Sequence, residues 1–219
     1  MSTPVLILGE SGSGKSFSMR HMPASDALLV QVTRKNLPFK SDWSYWSETN
    51  KAGNIFVTDN ADQVIAIMKG TKRKRIIVDD YQYILSNELL RRWNIKGYDK
   101  FSEVGYNGLN VLREAAGLAD DVQVFFFAHT MLDDDGILKI KTPGKLMATY
   151  SVEGLFSLVL RAVVRDGTHF FSTVNNSADT VKSPPGMFED ELIPNDLQLV
   201  SKAIVDFGWG ASTGTVVTK

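Results

Sequence analysis

Four predominantly apolar runs punctuate the chain: Val5-Leu6-Ile7-Leu8, Ala27 to Val32, Ile76-Ile77-Val78 and Val122 to Ala128. None keeps a strict apolar–polar alternation, so each predicts a strand covered on both faces, as in a parallel sheet. Ile55-Phe56-Val57 predicts a further brief strand. Helical spacing fills the intervals. A short helix is expected from Lys15 to about His21, ending before Pro23. Asn60 is placed to cap a second, with Val64, Ile65, Ile67 and Met68 on its apolar side. Tyr83 to Trp93 and Ser102 to Leu118 read as two more. The polar stretch Asn36 to Gly53, with Trp43, Tyr45 and Trp46, reads as an irregular excursion. Strands alternating with helices predict a doubly wound α/β sheet.

Beyond Thr130 the pattern changes. Asp133-Asp134-Asp135-Gly136 predicts a turn between short extended pieces. Leu158 to Arg165 and Thr168 to Val174 flank Asp166-Gly167, the dipeptide that favours a tight I′ hairpin turn. A Pro184-Pro185 loop follows, and Asn195 or Asp196 caps a last helix, Leu197 to Phe207. The expected organisation is one domain over 1–219. Its parts are a core over 1–130, a C-terminal hairpin and helix over 131–210, and a Gly/Ser/Thr-rich tail over 211–219 expected to fray.

Composition narrows the class. Of the 219 residues 43% are hydrophobic and 22% charged, the profile of a globular protein with a core of its own. There is no cysteine, which excludes disulfides, cysteine zinc sites and thiol catalysis and fits a cytoplasmic location. The net charge of −1 argues against a protein that coats DNA with a uniformly basic surface, so any nucleic-acid surface is a local patch. The first residues lack a basic leader, and no apolar run approaches roughly 18 residues, so neither a signal peptide nor a membrane span is expected.

The chemistry begins at Gly9-Glu10-Ser11-Gly12-Ser13-Gly14-Lys15-Ser16. This is the full G-x-x-x-x-G-K-[ST] pattern, with a strand before it and a helix after it. Glycines let successive N–H groups turn inward around phosphate, and the following helix directs its positive end at the same anion. Lys15 would reach the β- and γ-phosphates, Ser16 would ligate Mg²⁺, and Phe17 closes the cradle. Gly9 to Phe17 are therefore the expected ATP-binding residues. Asp79 ends an apolar strand and is the matching Mg²⁺ carboxylate, while Asp80 is either a general base or an ordinary charged strand end. His129, at the end of the next strand, is either a γ-phosphate sensor or a satisfied terminal histidine. Lys15, Asp80 and His129 are the catalytic candidates.

Arg91, Arg92, Trp93, Lys96, Tyr98, Lys100 and Phe101 mix cations with aromatic faces, which suits single-stranded nucleic acid or, alternatively, a solvated helix end. Lys139, Lys141 and Lys145 form a second candidate patch, weakened by the preceding aspartates. Arg161 and Arg165 share a strand face from which either could meet γ-phosphate, in its own subunit or a neighbour's, or equally face solvent.

With these parts placed, the chain resembles the RecA-like ATPases of bacteriophages, in particular small nucleotide-binding proteins encoded near single-strand annealing or recombination genes. The resemblance rests on GESGSGKS, IIVDDYQYI, GYDKFSEVGYN, FFFAHT, KTPGKLMATYSVEGLFSLVLR and KSPPGMFEDELIPNDL. It implies an α/β RecA-like P-loop NTPase core with a mostly parallel, helix-flanked sheet and a C-terminal hairpin extension. It further implies Mg²⁺-dependent ATP binding, self-association with nucleotide near subunit boundaries, and a DNA-binding loop over Met131 to Lys145 that follows His129. Lys182 matches a position that touches nucleotide. The chain departs from the family where the second core strand ends Gln31-Val32-Thr33-Arg34 without the expected glutamate, and in lacking the helical extension that precedes RecA filament cores. The leading expectation is an ATPase that regulates single-stranded DNA binding in phage recombination, replication or repair. A small-molecule P-loop kinase and a nucleotide-gated loader or packaging accessory with little turnover stand as alternatives.

Overall fold

Eight of the ten strands lie side by side in one sheet in the computed structural model, which describes residues 1–143 and 150–210. The strands are β1 (Thr3–Leu8), β2 (Ala27–Gln31), β3 (Ile55–Val57), β4 (Arg75–Asp79) and β5 (Gln123–Ala128), then β8 (Leu158–Arg165), β9 (Thr168–Ser172) and β10 (Leu192–Pro194). Across the sheet they run β10-β9-β8-β1-β5-β4-β2-β3. From β8 to β3 every pairing is parallel, and β9 pairs antiparallel with both its neighbours. The remaining two, β6 (Thr130–Leu132) and β7 (Leu138–Ile140), make a separate ribbon. The helices are α1 (Ala61–Gly70), α2 (Gln82–Arg91), α3 (Asp99–Ala116) and α4 (Leu197–Asp206).

The apolar runs behave as double-sided strands. Leu6, Leu8, Ile76, Val78, Phe126 and Ala128 pack with α1, α2 and α3 on one face, whereas Val5, Ile7, Ile77, Phe125 and Phe127 pack with α4 and Trp43 on the other. The expected α/β architecture, a mostly parallel sheet flanked by helices, is therefore present. Asn60 caps α1 by accepting from the Gln63 N–H, and Asp196 caps α4 by accepting from the Gln198 N–H. Asp166 and Gly167 both take positive φ, as the I′ turn requires.

Several features differ from expectation. The hairpin is not an appendage: β8 lies parallel against β1, with Leu8 opposite Arg161, so the hairpin extends the main sheet beyond the phosphate-loop strand. The helix after that loop is a 3-10 helix, Ser16–His21, without a side-chain cap. β10 and a 3-10 turn at Val152–Leu155 carry too few residues to show a periodicity. Lys145 and the tail 211–219 lie outside the described residues.

Candidate functional site

Parallel pairing brings the carboxyl ends of β1, β5, β4 and β2 to one edge of the sheet, where doubly wound folds bind ligands. Because β5 lies between β1 and β4, His129 emerges between the phosphate loop and Asp79. A cleft of about 370 Å³ opens there, lined by Ser11 to Phe17, by Asp79, Asp80 and His129, and by Gln31, Lys35 and His169.

Inside it, segments distant in sequence meet. The Ser16 hydroxyl donates to Asp79 Oδ2 at 2.9 Å. Lys15 is 6% exposed, and its Nζ donates to the carbonyls of Gly9 at 2.7 Å and Glu10 at 2.9 Å. Burial pulls its ammonium down to about 8, against the attraction of Asp79 and Asp80. Asp79 is 1% exposed, and burial, then the neighbouring Asp80, pushes its carboxyl up. Gly14 holds φ +98°, and a Cβ there would come within 2.8 Å of His169 Nδ1, so the loop turns where no side chain fits. The His169 ring also lies 3.1 Å from the Ser13 carbonyl and 6.0 Å from the Phe17 ring, which ties the β8–β9 hairpin to the loop.

Asp80 adopts φ +66°, a left-handed conformation that is strained for a non-glycine residue. Its Oδ2 accepts from the Lys35 ammonium, and His129 Nε2 lies 3.2 Å from its Oδ1. Burial acts to raise this carboxyl, but the adjacent His129 ring and the bond from the Lys35 ammonium outweigh it and hold it at about 2. A carboxylate held so low accepts protons poorly at neutral pH. In this arrangement Asp80 orients Lys35 and His129, and it can act as a base only once they let go.

A divalent cation fits beside Ser16 and Asp79. Asp79 Oδ1 and Ser13 Oγ are buried without a hydrogen-bond partner, so the pocket holds acceptors for a cation and its water. Among the described residues no three carboxylates or histidines form a self-sufficient metal cage.

The other expected site residues fall elsewhere. Glu10 lies on the back of the loop, in a second cleft of about 460 Å³ with Arg161 and Arg165. Arg161 donates to Asp179 Oδ2 at 3.0 Å and does not line the first cleft. Lys182 is exposed and pairs its backbone with Val159, away from both clefts. Trp93 is 79% exposed and Lys96 and Lys100 lie on the same α2–α3 corner, where Lys100 Nζ donates to the Ile95 carbonyl at 2.7 Å. Lys139 pairs with Asp133, and Lys141 is exposed at the end of the ribbon. The ribbon itself returns to the site, because the Lys141 N–H donates to the His129 carbonyl at 2.8 Å.

Gln31, Lys35 and His169 are among the cleft residues that escaped the motif reading. Gln31 stands at the strand end where a glutamate was expected, 1% exposed; it donates to the Lys35 carbonyl at 2.9 Å and accepts from the Tyr45 hydroxyl at 3.2 Å. Lys35 sits in a polar loop without a pattern of its own. His169 becomes a site residue only through the pairing of β8 with β1, which no local signal announces.

No protein-family model matches the chain, and no curated protein matches it. Among solved structures it is similar to a DnaB-like replicative helicase, in a structure that also addresses that helicase's interactions with primase, at 10% identity and a TM-score of 0.42. The alignment covers 83% of this chain and 57% of the helicase chain, so this protein spans little more than half of that length. No helix among the described residues is long and apolar enough to cross a membrane.

Proposed function

We propose that this protein binds ATP with Mg²⁺, hydrolyses it, and uses the bound state to regulate single-stranded DNA binding, in phage DNA recombination, replication or repair. The observation that carries the nucleotide reading is the meeting of Ser16 and Asp79, 63 positions apart in sequence, beside the buried Lys15. Bound Mg²⁺ would neutralise phosphate charge. Around it, Ser16 and Asp79 would hold the cation, the backbone of Ser11 to Gly14 would cradle phosphate oxygens, and Lys15 would exchange its carbonyl partners for the β- and γ-phosphates. Gln31 is a carboxamide, so it can orient a water molecule without taking its proton. That arrangement favours slow intrinsic turnover.

The DNA part rests on two features. Trp93 and Tyr98 are 79% and 87% exposed and offer stacking faces beside Lys96. His129 reaches both Asp80 and, through its carbonyl, the β6–β7 ribbon, a physical route from phosphate to surface. The phage setting rests on the resemblance of the sequence motifs, as does self-association near the nucleotide.

The test is ATP binding and turnover with and without single-stranded DNA, with mass measured in the same buffer. Lys15→Ala is expected to lower ATP affinity at least ~100-fold, the loss of two or more charge-assisted bonds; retained affinity would remove the site assignment. DNA-stimulated turnover without any phosphoryl acceptor supports the ATPase. Transfer to a small-molecule acceptor would make the protein a kinase instead.

A further inference from the structure

The cleft contains a cation that the motifs do not account for. Apart from Lys15, Lys35 is the only lysine or arginine lining it among the described residues. Its ammonium donates to Asp80 Oδ2 and lies 3.9 Å from Asp79 Oδ2, the same oxygen that accepts the Ser16 hydroxyl. Arg165 lines the second cleft and not this one, and three other nearby arginines are engaged elsewhere. Arg161 is paired with Asp179, Arg34 lies 4.7 Å over the Tyr45 ring, and Arg20 donates to the Asn195 carbonyl. Lys35 itself is 42% exposed along its side chain and belongs to the irregular stretch after β2, held at its backbone by Gln31. Its head group can move while its root stays fixed.

We propose that Lys35 is a phosphate-contacting cation: it neutralises the Asp79–Asp80 pair, gives way when a divalent cation takes Asp79, and transfers to the terminal phosphate of the bound nucleotide. The reasoning is one of charge. Two nearly buried carboxylates, 1% and 3% exposed, require positive charge beside them. A divalent ion next to Ser16 and Asp79 supplies it, and an ammonium a few ångströms away is then repelled. The nearest unmatched negative charge would then be the terminal phosphate of a nucleotide held in the cleft that Lys35 lines. Such a residue would provide in this chain's own loop the stabilising charge that other phosphoryl-transfer sites take from an arginine. Asp80 is the resting partner of Lys35 before the transfer and is released for other contacts after it.

This inference rests on the nucleotide-binding reading, and the experiment separates the two. Wild type, Lys35→Met and Lys35→Arg are compared in two binding measurements. The first titrates Mn²⁺ alone, followed by electron paramagnetic resonance. Lys35→Met is expected to bind Mn²⁺ roughly ten-fold more tightly than wild type, because the competing ammonium is gone. Lys35→Arg is expected to resemble wild type. The second compares fluorescent, non-hydrolysable ATP and ADP analogues with Mg²⁺ present. Lys35→Met is expected to lose roughly ten-fold of the preference for triphosphate over diphosphate, one charge-assisted contact, with Lys35→Arg retaining most of it. A Lys35→Met protein within two-fold of wild type in either measurement overturns the proposal. Should wild type bind Mn²⁺ but neither nucleotide analogue, the nucleotide reading fails and the proposal falls with it. Circular dichroism melts check that each variant is folded; Lys35→Gln replaces Lys35→Met if the latter is not.

Discussion

The cleft at the Gly9–Ser16 loop and the α2–α3 corner both gather charged and polar side chains, but they handle charge in opposite ways. In the cleft, Lys15, Asp79 and Asp80 are 6%, 1% and 3% exposed and arrive from two segments far apart in sequence. At the corner the arginines are matched locally: Arg91 lies 2.7 Å from Asp59, and Arg92 lies 2.6 Å from Glu88 and also pairs with Glu103. Trp93 and Tyr98 stand out into solvent there. Buried charges are costly unless matched, and in the cleft an Asp79 oxygen is buried without a hydrogen-bond partner. The corner has already spent its guanidinium groups on carboxylates. What it offers a partner is aromatic surface and lysine.

The sharpest way to break this contrast is to disturb the crowding around the phosphate loop. Gly14→Ala places a side chain where φ is +98° and where Cβ would approach His169 Nδ1 to 2.8 Å and Asn195 Oδ1 to 3.2 Å. We expect a stability loss of about 1–3 kcal/mol and a fall of nucleotide affinity beyond ten-fold. Adding His169→Ala should restore part of the loss, because it removes one contact while the backbone strain stays. Thermal melts and analogue titrations of both proteins check this; a single variant with normal affinity would show that the loop and hairpin are not coupled.

A gentler probe uses pH. Burial holds Lys15 at about 8, below the ordinary lysine value, so in the protein alone it loses its proton as pH rises through 8. Phosphate favours the charged form, so nucleotide binding takes up a proton above that pH. Affinity should be flat from pH 7 to about 8 and then fall, by up to ten-fold per pH unit, in wild type and not in Lys15→Ala. The sign for folding is opposite. The unfolded chain holds this proton up to 10.5, so the Lys15 contribution to stability improves as pH rises from about 8 towards that value. Affinity that stays constant from pH 7 to 9.5 would mean that Lys15 remains charged throughout.

Much of this molecule was legible in its sequence, for local reasons. The apolar runs announced β1, β2, β4 and β5, Asp166-Gly167 announced the hairpin, and the phosphate loop carried its own spacing. Asp79 was readable because an apolar strand ends on it. What stayed hidden depended on pairing between distant strands. Nothing near Leu158 says that β8 will lie against β1, so neither the approach of His169 to Gly14 nor the distance of Arg161 from the cleft could be foreseen. Lys35 was hidden for a related reason: its loop has no periodicity, and only the fold brings it to Asp80, 45 positions on. At the corner the opposite error arises. A run of basic residues looks available for phosphate until the acids from α2, α3 and the turn before α1 are seen to occupy it.

That occupation yields the smallest and most discriminating prediction. If single-stranded DNA binds at the corner, the aromatic and lysine groups carry the contact and the paired arginine does not. Trp93→Ala should weaken binding about five-fold or more, the lower range for one stacked base. Lys96→Ala should weaken it a few-fold and lower the salt dependence by about one phosphate's worth. Arg92→Ala should change affinity by less than about two-fold at every salt concentration, because its guanidinium is held by Glu88 and Glu103 rather than offered outward. Fluorescence anisotropy with a labelled oligonucleotide at several salt concentrations separates these slopes. An Arg92 effect as large as that of Lys96 would mean that the ion pairs open on binding. The corner would then resemble the cleft in exchanging internal partners for phosphate.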